Sequence, residues 1–141
     1  MGFSFRTAVG LVCLLAVGCA QNKPATQALS EQTLEGAAWT LVELDGQPAP
    51  LGADGRAISI NFAAQRASGF SGCNRFTGAY KLEGNRLAFG NLAVTRMACA
   101  QGMQTEDAVL DALARVVLAS LEDGRLRMSD GDSTLLMIFQ R

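Results

Sequence analysis

Sulfur is the chemistry that stands out in this chain. Histidine is absent from its 141 residues. That removes Ser-His-Asp and Cys-His nucleophilic mechanisms and every imidazole metal site. Four cysteines remain, at Cys13, Cys19, Cys73 and Cys99. A redox pair of the Cys-x-x-Cys kind needs near neighbours, and Cys73 and Cys99 are far apart in sequence. A zinc site built on them would have to recruit carboxylates for its other ligands. A nucleophilic thiol needs a base. The nearby Arg75 and Arg96 could lower a thiol pKa, but they accept no proton. Asp107 and Asp111, one helical turn apart, have the spacing of a carboxylate pair and read as a solvated helix face. Arg75 and Arg96 are expected to find an acidic partner such as Glu43 or Glu106, as surface ion pairs. No cofactor or metal is expected.

The first two cysteines belong to the N-terminus. Arg6 precedes an apolar run from Ala8 to Val17. The run is too short for a spanning helix, which needs about 20 residues, and has the length of a signal-peptide core. Leu15-Ala16-Val17-Gly18-Cys19 follows. Small residues before a cysteine at this distance resemble the lipobox of bacterial lipoproteins. The resemblance implies cleavage after residue 18 and acylation of Cys19. Each buried CH₂ contributes roughly 0.8 kcal/mol, so two or three acyl chains anchor a protein durably. Ala20 rather than Asp follows Cys19, which favours the outer membrane, facing the periplasm. Residues 19–35 are polar and read as a flexible tether between lipid and domain. The expected organisation is therefore a signal peptide over 1–18, a tether over 19–35 and one domain over 36–141.

Export sets the redox context of Cys73 and Cys99. In an oxidising compartment, an even pair in a small domain most simply forms a disulfide. Unpaired core thiols and a redox role remain the alternatives. The chain carries 12 Lys+Arg against 13 Asp+Glu, a net charge of −1. Such a balance argues against a nucleic-acid partner.

The elements that must position these residues are mostly strands. Trp39–Leu44 reads as a strand ended by Asp45-Gly46. Ile58, Ile60 and Phe62 alternate with polar residues, and 67–71 is expected to pair back on them. Phe76, Gly78, Tyr80 and Leu82 share one strand face. Glu83-Gly84-Asn85 turns the chain into a hairpin with Arg86–Phe89. Leu92–Met97 is a further candidate strand. Val109, Leu110, Leu113, Val116 and Val117 then recur at helical spacing, predicting a helix over about 103–118. Asp123-Gly124 and Asp130-Gly131 mark hairpin turns around 126–128. Residues 134–139 are apolar on both faces, as in a central strand with a helix packed on one side. The fold class is α+β, mainly β: a strongly curved antiparallel sheet or barrel-like meander with one helix before the last strands. The glycines at 72 and 78 are expected to permit positive φ or a bulge where the sheet bends. Asn74 would bond nearby backbone, and Trp39 and Tyr80 would be core aromatics.

Three segments together resemble the META domain (HslJ-like) family of bacterial envelope proteins. They are Gly69-Phe70-Ser71-Gly72-Cys73-Asn74-Arg75-Phe76-Thr77-Gly78-Ala79-Tyr80, then Thr95-Arg96-Met97-Ala98-Cys99, then Met103 through Glu106 to Leu113. Residues 36–44 match the family's opening strand and 135–141 its closing strand. The family motif residues here are Gly72, Asn74, Arg75, Gly78, Thr95, Arg96 and Met97. Many members carry a proline after the second cysteine, where this chain has Gln101-Gly102. The resemblance implies a small barrel-like fold with a helix, association with stress or virulence, and no established enzymatic activity. The expectation is a non-enzymatic envelope lipoprotein that touches the membrane through its lipid and acts on an envelope protein partner. The alternative is a carrier of a small apolar ligand inside the barrel. It fails if Phe62, Tyr80, Leu87 and Phe89 fill that interior.

Overall fold

The structure, a computed structural model, describes Met1–Gly2, residues 26–36 and residues 38–141. Cys19 and the apolar signal core lie outside the described residues. The elements in chain order are β1 (Thr26–Gln27), α1 (Glu31–Leu34), β2 (Trp39–Leu44), β3 (Gln47–Pro48), β4 (Ser59–Ala63), β5 (Arg66–Phe70), β6 (Arg75–Glu83), β7 (Arg86–Phe89), β8 (Ala93–Val94), α2 (Met103–Arg115), β9 (Leu118–Glu122), β10 (Arg125–Ser129) and β11 (Leu135–Gln140).

Eight of these strands close into an antiparallel barrel, in the order β9-β10-β11-β2-β4-β5-β6-β7, with β7 returning to β9. The closing contact is short, pairing Arg86 with Leu118. Closure removes the open edges of the main sheet. The three short strands sit outside this ring: β1 on β9, β3 on β2 and β8 on β6. Period-two alternation explains why the sheet curls. Ile60, Phe62, Ala67, Phe76, Tyr80 and Leu87 all point into one core with Trp39, Leu126, Met128 and Phe139. Tight turns connect the hairpins. Asp123 and Gly124 both adopt positive φ, at 50° and 74°, and join Glu122 to its register partner Arg125.

The expected helix over 103–118 ends earlier. Val116 is extended, with φ −61° and ψ 128°, and Leu118 already belongs to β9. β-branched Val116 and Val117 suit the extended chain better than a final helical turn. Strand β9 itself was not foreseen, because Ala119 and Leu121 are its only fully buried side chains. The expected strand over Leu92–Met97 shrinks to Ala93–Val94. The helix lies close to β7, and its Val109, Ala112 and Leu113 share one core with Leu136, Met137 and Phe139 of β11. β11 is buried on both sides: Leu136 joins Met137 and Phe139 in the core, and its register shifts against both neighbours.

The tether also differs from expectation from residue 26 onward. β1 pairs with Leu121 and Glu122. A capping box between Ser30 and Thr33 starts α1, and Leu34 is fully buried. The Leu34 carbonyl accepts from Trp39 Nε1 at 2.8 Å. Arg141 lies 4.4 Å from the centre of the Trp39 ring and donates to the Thr33 carbonyl. Two leucines, Leu29 and Leu34, are enough to seat an otherwise polar segment on the barrel.

Candidate functional site

The family-motif segments converge around one carboxylate. The 71–74 loop leaves β5, reaches the N-terminus of α2, and turns back into β6. Its turn requires glycine. Gly72 has φ +140°, and a Cβ there would lie 2.7 Å from both Glu106 N and Gly102 O. Gly102 precedes the helix at φ +92°, and its own Cβ would lie 2.3 Å from the Gly72 carbonyl. That carbonyl accepts from Ala53 N at 2.6 Å. Three backbone segments thus meet at a spacing that excludes side chains. Gly78 serves a different purpose from the bend expected of it. A Cβ there would press on Leu92 and the Asn91 carbonyl at 2.6 and 2.8 Å, so it admits the 91–92 chain against β6.

Glu106, in the first turn of α2, is only 5% exposed. Its Oε2 accepts from Ser71 Oγ at 2.8 Å, Asn74 N at 2.5 Å and Cys73 N at 3.3 Å. Its Oε1 accepts from Asn74 Nδ2 at 2.9 Å. Burial pushes the carboxyl pKa up, but the donors from Asn74, Ser71 and Cys73 together hold it below the usual carboxylate range. The positive end of α2 favours the same charge. Asn74 is the second hub. Its Oδ1 accepts from Met97 N at 2.7 Å and Thr95 Oγ1 at 2.8 Å, while Nδ2 also reaches the Met97 carbonyl at 3.2 Å. Thr95 and Arg75 exchange backbone and side-chain bonds at 3.0 and 3.1 Å. Cys73 and Cys99 are joined, with Cα atoms 5.8 Å apart. The bond ties the 95–99 chain to the same loop.

The motif residues therefore gather into one clamp, in which Gly72, Asn74, Thr95 and the backbone of Met97 make direct contacts. Arg96 and the Met97 side chain face outward, with Met97 61% exposed. The acidic partners expected for Arg75 and Arg96 are not there. Glu106 is taken by Ser71, Cys73 and Asn74, and neither arginine forms an ion pair among the described residues. Asp111 pairs with Arg115 at 3.3 Å on the helix surface, and Asp107 is exposed. Glu106 as the centre of the clamp was missed, although one signal was present. It shares a helix face with Val109 and Leu113, three and seven residues on, so a carboxylate lies on an apolar stripe.

The interior holds side chains. Phe62, Tyr80 and Leu87 are buried and Phe89 is half-buried. The Phe62 and Tyr80 rings meet edge to face at 5.0 Å. The carrier reading therefore loses its support. Two concavities open to solvent. One groove of about 460 Å³ runs over Asn61, Ser68 and Thr77, and another of about 620 Å³ lies between residues 92–97 and α2.

The META domain matches residues 32–141. The chain belongs to the META domain family. It is similar to the heat shock protein HslJ of Escherichia coli (strain K12), 28% identical over 124 residues and covering 86% of each chain. An NMR structure of a protein from Burkholderia xenovorans resembles this META domain with a TM-score of 0.64 at 28% identity, covering 90% of this chain and 98% of that one. A second NMR structure gives a TM-score of 0.63 at 25% identity, covering 79% and 94%. The match begins inside α1, which agrees with a domain that starts ahead of the expected residue 36.

Proposed function

We propose that this META-domain chain is a non-enzymatic lipoprotein of the bacterial cell envelope. In this reading Cys19 carries the acyl chains, on the outer membrane facing the periplasm, and the barrel acts through contacts with an envelope protein under stress. The observation that carries it is the Leu15-Ala16-Val17-Gly18-Cys19 sequence ahead of the barrel. Two further observations support it. The HslJ relative is named a heat shock protein. Glu106 spends both oxygens on holding chain segments together, as a structural group does. The experiment is labelling with radioactive palmitate in cells, followed by membrane fractionation. Wild-type protein should carry label in the outer-membrane fraction, and Cys19→Ser should carry none. Label retained by C19S, or wild-type protein without label, overturns the anchor. Crosslinking in living cells should then trap one reproducible envelope protein; recovery of monomer alone overturns the partner.

A further inference from the structure

The outer face of β4, β5, β6 and β8 carries a groove that meets the clamp only along its Arg75 and Thr95 edge. Register places its side chains in two rows. Asn61, Ser68 and Thr77 stand side by side, and Ser59, Phe70 and Arg75 form the next row. Arg56 lies over the Phe70 ring, 4.3 Å from its centre. Cross-strand partners have Cβ atoms about 5 Å apart, so the register sets Arg75 on the strand next to Phe70, whose ring lies under Arg56. Arg66 borders the Asn61–Ser68–Thr77 row through Nη2, which donates to Thr77 Oγ1 at 3.3 Å.

The electrostatics of this face are one-sided. None of Arg56, Arg66 and Arg75 forms an ion pair among the described residues. The groove lining contains two arginines and no carboxylate. The chain as a whole is slightly acidic, at −1, so this concentration of positive charge is local. Among the described residues, the side chains of Ser59, Asn61 and Ser68 line the groove without a hydrogen-bond partner. Its volume of about 460 Å³ falls within the range of small-molecule sites, roughly 300–1,000 Å³.

We infer that this groove binds a phosphorylated saccharide, either free or as a lipid headgroup. A guanidinium fork matches phosphate oxygens in bidentate geometry. The Arg56 plane is already oriented by its stacking on Phe70, so less side-chain freedom is lost on binding. Asn61, Ser68 and Thr77 offer donors and acceptors in a row, as adjacent sugar hydroxyls require. The site is independent of the lipid anchor and shares only its Arg75–Thr95 edge with the clamp.

Binding is followed by backbone amide shifts of the full chain in detergent micelles, with glucose 6-phosphate, glucose and inorganic phosphate as probes. A phosphorylated glucosamine glycolipid in phosphatidylcholine vesicles forms a further arm, read by cosedimentation. Glucose 6-phosphate should shift the amides of Asn61, Ser68 and Thr77 saturably, and at least about ten-fold more tightly than glucose or phosphate alone. Arg75→Gln should weaken it about ten-fold, and Arg75→Lys should restore only part, because a point charge lacks the fork. Arg125→Gln, an exposed site outside the groove, should leave binding unchanged. Cosedimentation with the glycolipid vesicles but no saturable shift with the sugar phosphate assigns the headgroup source; the reverse assigns the free source. No saturable response to either, or equal affinity for glucose, or undiminished binding by a folded R75Q, overturns the site.

Discussion

At the scale of single residues, the fate of Glu106 decides the behaviour of the clamp. A buried carboxylate costs several kcal/mol unless donors surround it, and here Ser71, Cys73 and Asn74 supply them. Glu106→Gln keeps the shape, but it turns one acceptor into a donor facing other donors. The expected loss is about 2–4 kcal/mol in urea unfolding with an unchanged slope. The pH dependence has a definite sign. The folded carboxyl pKa lies below its ordinary value of 4.5, so the unfolded chain takes up the proton first as pH falls. The stabilisation is therefore complete above about pH 5 and disappears as pH falls through the folded pKa. Wild-type stability should drop on acidification from pH 6 to 3, and E106Q should show a shallower drop over that window. Equal slopes would show that another carboxylate governs the acid response. Asn74→Asp is the complementary test. It replaces the amide that faces Glu106 Oε1 at 2.9 Å with a second negative charge. That variant should lose about 3 kcal/mol or more at pH 7 and should regain part of it in mild acid, measured by the same unfolding curves.

At the scale of elements, the close meeting of the 71–74 loop with the start of α2 is the most demanding feature. Gly102→Ala places a Cβ against the Gly72 carbonyl and Ala53 N, at 2.3 and 2.8 Å. It should cost about 3 kcal/mol or more, a value reserved for clashes that cannot relax. Gly124→Ala, with φ +74° but open space around it, should cost only the strain of the left-handed backbone, about 1 kcal/mol. Thermal unfolding of the two variants separates crowding from strain. The Cys73–Cys99 bond closes the loop that contains β8, and the chain-entropy account gives it roughly 3.5 kcal/mol. The same elements show what the sequence could reveal. The strands around Ile60, Phe62, Phe76 and Tyr80 were legible because burial on one face writes period-two alternation into the chain. The Gly84-Asn85 and Asp123-Gly124 turns were legible because the positive φ at Gly84, Asp123 and Gly124 favours such residues. β9 was not, since Ala119 and Leu121 leave only a faint pattern and the apolar Val116 and Val117 continue the helical spacing of α2. The role of Glu106 was not legible either, because its donors come from a loop more than 30 residues earlier and no local spacing encodes that meeting.

At the scale of the whole molecule, the position of the domain's N-terminal edge determines how the barrel is held. Polar composition over 19–35 predicted a spacer, yet β1 extends the sheet at β9 and α1 lies against β4. Six residues, 20–25, then separate Cys19 from β1, and a fully extended chain of that length reaches no more than about 25 Å. Under the proposed lipid anchor, the barrel end that carries Glu122 and Leu121 is held within that distance of the membrane. The segment also contributes to stability. Leu34 is fully buried, its carbonyl holds the Trp39 indole, and Arg141 from the opposite end of the chain closes over both. Leu34→Ala should therefore create a core cavity and cost about 2–4 kcal/mol, with the Trp39 fluorescence transition moved to lower urea by the same amount. Glu31→Ala, exposed on the same helix, should stay within about 0.5 kcal/mol of wild type. Equal stability of L34A and E31A would mean that the barrel folds without this segment, and would return residues 26–35 to the role of a spacer.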